Sequence, residues 1–147
     1  MKTLATTLCA LLAVNFTVCA EIQRLPDLSK ALPEGKLIHE VDPQIMVGYR
    51  YEYPAATDFE RLKTKLKEFL GEGWKEKEVD PRMSKALERV MKVQGVELAG
   101  HATFTNPAFP EDEISLTMKK ELIDGKKMRI VDLSGTWYKK AESGPGE

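Results

Sequence analysis

Cysteine is confined to the first 20 of the 147 residues, at Cys9 and Cys19. That segment, MKTLATTLCALLAVNFTVCA, carries a single charge at Lys2 and an apolar stretch over residues 4–16. Val18 and Ala20 follow at the −3 and −1 positions of a cleavage site. This is the layout of a secretory leader. The stretch is shorter than the roughly 20 apolar residues that a membrane-spanning helix needs. Removal of residues 1–20 leaves an expected mature chain of 127 residues with no cysteine at all. Disulfide staples, thiolate nucleophiles and thiolate metal ligands are then excluded together. Small extracellular domains of animals are usually disulfide-dense, so a cysteine-free exported domain points to a bacterial periplasmic or secreted protein.

Charge of one sign is also missing. Without the leader's lysine the chain holds 21 basic and 23 acidic residues, a net of −2, which excludes a polyanion binder driven by total charge. No second apolar run is long enough to span a bilayer, so the mature chain is expected not to be membrane-spanning. There is no internal repeat and no low-complexity tract. The length suits one domain with a modest core.

Residues 21–43 contain Pro26, Pro33, Gly35 and Pro43 and read as an irregular arm, with Leu25, Leu28 and Leu32 spaced for one helical turn. Residues 44–138 read as a single domain. In QIMVGYRYEYP, residues 44–54, Ile45, Val47, Tyr49, Tyr51 and Tyr53 alternate with Met46, Gly48, Arg50 and Glu52, the period of a half-buried strand. TDFERLKTKLKEFLG follows. Thr57 with Glu60 predicts a capping box, Phe59, Leu62, Leu66, Phe69 and Leu70 form one helical face, and Gly71 is placed to end it. Gly73-Trp74 begins a short segment that reads as an extended strand or a loop; Asp80-Pro81 then predicts a second helix start, with Met83, Leu87, Val90 and Met91 as its apolar face and a stop near Gly95. Three strand-like runs close the domain, LAGHATFTN, EISLTMKKEL and KKMRIVDLSGTWY, the last two joined through Asp124-Gly125, a hairpin signal. Residues 139–147 are expected to be a disordered tail.

This order predicts an α+β, two-layer domain: a mainly antiparallel sheet of about four strands with two amphipathic helices packed on one face. Leu98, Ala102, Phe104, Ile114, Leu116, Met118, Val131, Leu133 and Trp137 are the expected inward positions.

Two groups of residues are candidates for a ligand or partner surface. Tyr49, Tyr51 and Tyr53 share a strand face and could form an aromatic platform for a small ligand, a sugar or an apolar molecule. Packing under a helix is the plainer use of aromatic residues on a strand. Arg82, Lys85, Arg89 and Lys92, at spacings of three, four and three, share a helix face. They fall in a segment, residues 61–92, with ten basic and six acidic residues. An anionic partner such as a phosphorylated glycan, lipid headgroup or acidic protein would suit them, although a solvated helix face carries such a stripe without any partner. No nucleic-acid module is present.

Catalytic chemistry has little to stand on. No serine lies in a G-x-S-x-G turn. His39 and His101 are the only histidines; HEVDP adds Glu40 and Asp42 beside His39, but no metal-ligand spacing such as H-E-x-x-H occurs. Glu111, Asp112 and Glu113 sit beside Pro107 and Pro110 and read as a solvated loop. No cofactor, metal site or catalytic residue is assigned.

QIMVG resembles the Q-x-V-x-G loop of cystatin-type cysteine-protease inhibitors, which are also small exported helix-on-sheet domains. Met46 stands at the central valine, and the segment precedes the main helix instead of following it. Strand alternation accounts for the same five residues. The expected function is an exported, non-enzymatic binding or interaction domain of the cell envelope or secreted fraction. A small extracytoplasmic hydrolase, metal-assisted through His39 or His101, is the alternative, and an inhibitor-like binder the third. Amino-terminal sequencing of the protein recovered from its own host is expected to begin at Glu21; a chain that still begins at Met1 outside the cytoplasm would overturn the leader.

Overall fold

The computed structural model describes residues 25–41 and 46–137; residues 1–24, 42–45 and 138–147, which include the expected leader and the expected tail, lie outside them. The described chain forms an α+β domain built on a six-stranded antiparallel sheet with two helices. The strands are β1 (Lys36–Val41), β2 (Met46–Pro54), β3 (Lys75–Glu76), β4 (Glu97–Asn106), β5 (Phe109–Ile123) and β6 (Lys126–Thr136), in the spatial order β1-β2-β6-β5-β4-β3. Helices α1 (Phe59–Leu70) and α2 (Pro81–Val93) flank β3 in sequence.

Two strands separate this sheet from the expected four. β3 is a two-residue pairing with Thr105 and Phe104. β1 comes from the segment read as irregular. Its residues are all exposed, so it is an edge strand with no dry face and no alternation to betray it. An irregularity between Leu37 and His39 further breaks its period.

β4, β5 and β6 form a meander. Asp124 and Gly125 both have positive φ, 51° and 76°, the geometry of a two-residue hairpin whose twist matches its strands. β2 adds to the far side of β6 over nine residue pairs, from Met46 opposite Thr136 to Pro54 opposite Met128. One sheet face is dry: Tyr49, Tyr51, Tyr53, Ala102, Phe104, Ile114, Leu116, Met118, Val131 and Leu133 are all buried in one cluster. Leu98 is not among them. The break in register between Leu98 and Gly100 sets Leu98 opposite Lys119, on the other face. Trp137 is partly buried against the cluster.

Two covers close the dry face. The first is α1, which buries Phe59, Leu62 and Leu66. Its start is capped by Asp58, whose carboxylate accepts from the Arg61 amide at 3.2 Å, not by the expected Thr57; an ionised side chain at this position also suits the positive helix end. Gly71 ends it with φ 77°. Gly100 lets the helix approach: a methyl on its Cα would lie 2.2 Å from the Phe59 ring. The second cover is the arm, where Leu25, Leu28, Ala31 and Leu32 are buried around a single 3-10 turn. Leu25 and Leu28 close over Gly135 of β6.

Helix α2 differs. It has the predicted Asp80 cap and Pro81 start, yet none of its residues is buried. Only Ser84, Leu87 and Met91 are half-buried.

Burying the three apolar side chains of α1 is worth roughly 5–9 kcal/mol as an upper bound, comparable with the net stability of a small domain. Leu66 is fully buried, so Leu66→Asp places an unpaired carboxylate in this layer and is expected to abolish the cooperative thermal transition seen by circular dichroism. A normal melt for that variant would show the core to be wrongly placed.

Candidate functional surfaces

The face of the sheet opposite the core carries a continuous polar row. Cross-strand register sets His39 of β1 opposite Arg50, Arg50 opposite Asp132, Asp132 opposite Thr117, and Thr117 opposite His101. The sequence gives no local sign of this row, because its members come from five segments and only the pairing aligns them.

At its centre Arg50 grips Asp132 with both ends of its guanidinium: Nε donates to Oδ1 at 2.6 Å and Nη2 to Oδ2 at 3.2 Å. Lys119 Nζ donates to Oδ2 at 2.6 Å. Burial pushes the Asp132 carboxyl up, but the bonds from Arg50 and Lys119 outweigh it and hold it below the ordinary carboxylate range. A carboxylate so engaged is a structural anchor and a poor proton acceptor.

At one end of the row His101 is half-buried between two threonines. Its Nδ1 lies 2.9 Å from Thr117 Oγ1 and its Nε2 3.2 Å from Thr103 Oγ1. Sequence alternation places His101 on this face, but solvent is not its only neighbour. Its pKa is lowered, first by burial, with Glu113 opposing. His39 stands at the other end, four strand spacings away, or about 19 Å. The two histidines are therefore not brought to one centre. Among the described residues no group of three or more His, Cys, Asp or Glu side chains is placed to hold a metal ion.

The acidic cluster at residues 111–113 lies in β5 and not in a loop. β5 runs past the end of its ladder with β6, where Glu113 pairs with Thr136, so Pro110 sits in the overhang and removes no hydrogen bond from that pairing. Asp112 is turned inward and is 1% exposed.

The three tyrosines lie inside. Their exposures are 9, 3 and 4%, and successive rings pack tilted with centroids 6.4 Å apart. Gly35 lies so close to Tyr53 that an added methyl would stand 2.6 Å from the ring. Burial pushes the Tyr53 phenol up to about 12. The rings form the floor on which the arm packs, and no open aromatic platform exists on this strand. Trp74 is likewise packed, beside an open depression of about 760 Å³ lined by side chains of both signs, among them Lys67, Glu68, Lys75 and Glu76.

The four cations of α2 are brought together and presented. Arg82, Lys85, Arg89 and Lys92 are all exposed. None joins any of the ion pairs among the described residues, whereas Lys30, Arg50, Arg61, Lys63, Lys65, Lys77, Lys119 and Lys120 each do. Beside them Met83, Val90 and Val93 are 65, 54 and 88% exposed, although sequence periodicity points Met83 and Val90 at the core. An apolar stripe marks a helix as amphipathic without saying what covers the stripe, and here the domain does not cover it. Among the described residues no helix is long and apolar enough to cross a membrane.

No family model, curated protein or solved structure matches this chain.

The His101 surroundings make a pH prediction. The folded state holds a lowered pKa, against about 6.5 when unfolded. Between the two values the unfolded chain binds more protons. Stability is therefore complete above about pH 6.5, falls as pH drops towards the folded pKa, and levels off below it. Melting temperatures measured from pH 8 to 5 are expected to show this slope in the native protein and to lose it in His101→Gln. The Asp132 contribution persists through this range and is lost only as pH falls below about 4, so it does not obscure the result.

Proposed function

We propose that this chain is an exported, non-enzymatic domain of the cell envelope or secreted fraction that works by binding an anionic partner through α2. One observation carries the reading: α2 presents an apolar strip and four unpaired cations side by side to solvent. Exposing Met83, Val90 and Val93 forgoes roughly 1 kcal/mol or more of burial at each position. A contiguous apolar strip rimmed by charge is the usual mark of an interaction surface. The leader-like residues 1–20 support the extracytoplasmic setting. The hydrolase alternative draws no support from His39 and His101, which stand at opposite ends of the polar row.

Native mass spectrometry of the protein purified from its own host tests the reading. The native chain is expected to carry a bound mass that is lost in Arg89→Glu/Lys92→Glu, while the variant melts normally. A bare monomer in both cases, under conditions that preserve weak complexes, would overturn it.

A further inference from the structure

We propose that α2 is an in-plane anchor for an anionic phospholipid bilayer, an inference that rests on α2 being the binding surface. The sequence of the helix lays out two parallel strips. Arg82, Lys85, Arg89 and Lys92 recur at intervals of three, four and three; Met83, Ala86, Val90 and Val93 repeat the same intervals one residue later. One residue is about 100° of rotation, so an apolar strip runs beside a basic strip for the whole length of the helix, about 20 Å. Ser84, Leu87 and Met91 form a third line, half-buried, and this line faces the domain. The helix is thus held by one side while the other side displays grease and positive charge together.

That display fits the boundary of a bilayer. Apolar side chains of an interfacial helix sink into the acyl region while lysines and arginines extend along their own aliphatic stems to reach the headgroups. The charge is directed: α2 carries four cations against the one acid Glu88, on a chain whose formal net charge is −1. A protein partner fits less well. Protein interfaces are depleted of lysine at their centres and rely on aromatic or arginine anchors in pockets. Here two of the four cations are lysines, the strip has no aromatic residue, and its apolar members are of modest size. Anionic lipid needs no pocket, only area and charge.

The test is co-sedimentation of the purified protein with vesicles of phosphatidylglycerol and phosphatidylcholine in equal parts, and with phosphatidylcholine alone. The protein is expected to sediment with the anionic vesicles and to remain largely in solution with the neutral ones. Arg89→Gln/Lys92→Gln is expected to lower partitioning about thirtyfold, from the contribution each cation makes near an anionic leaflet. Val90→Asp/Val93→Asp is expected to abolish it. All variants change exposed residues, and their melts by circular dichroism are expected to match the native protein. Failure to sediment with anionic vesicles, equal sedimentation with both kinds, or native-like binding by the aspartate variant would overturn the bilayer. If vesicles are not bound but native spectra retain a mass sensitive to Arg89→Glu/Lys92→Glu, the bilayer falls and binding through α2 stands. A dimer dispersed by Val90→Asp would replace lipid by a second copy of the chain. If neither vesicles nor any such mass is found, both readings fall.

Discussion

Everything in this domain depends on keeping one face of one sheet dry without cross-links. The described residues contain no cysteine, and six strands side by side expose two broad faces. One is largely polar, with hydroxyls, two histidines and a clamped carboxylate, which water tolerates. The other is made of tyrosines, leucines, isoleucine, methionine, valine and phenylalanine, which it does not. A single helix of about three turns and a short arm must close that second face between them. This explains why small residues stand where covers meet the sheet: Gly100 under Phe59, and Gly135 under Leu25 and Leu28. It also explains why Leu66 and Leu62 are so completely enclosed. With so little covering material, each covering side chain carries a large share of the stability.

The same economy separates the two helices. Both are amphipathic, and each is capped by an aspartate. α1 spends its apolar side on the sheet. α2 spends only one line of residues there and leaves the rest outside. A domain that used both helices as cover would gain stability and lose the exposed strip. The retained strip lies beside cations that join none of the ion pairs among the described residues, so apolar area and positive charge meet solvent on the same helix.

The sequence made the sheet meander and α1 legible because their signals are local. Period-two alternation in residues 46–54, 98–106, 113–122 and 126–136, the Asp124-Gly125 turn and the Leu62/Leu66 face all depend on neighbours within a few positions. What stayed hidden depends on pairing or on absence. β1 has no dry face to alternate, so KLIHEV reads as loop. The polar row linking His39, Arg50, Asp132, Thr117 and His101 exists only once five strands are in register. Leu98 alternates with its neighbours as an inward residue until the irregularity at residues 98–100 turns it over. The stripe of Arg82, Lys85, Arg89 and Lys92 was readable as a face of a helix, but periodicity could not say that the apolar residues beside it would also meet water. The tyrosine alternation was plain, while its burial depended on an arm whose packing no local pattern announces.

Strand order also fixes when the domain can fold. β4, β5 and β6 pair with their sequence neighbours, but β2 lies against β6, so that Met46 meets Thr136 and Tyr51 meets Val131. Contacts of such long sequence separation form late. A ribosome delivering this chain from its amino end releases three tyrosines and the residues around them long before their partner strand exists. The first half of the molecule therefore cannot lock into its final form while the chain is still being made. It stays pliable until the last strand arrives, and closure of the domain waits for its end.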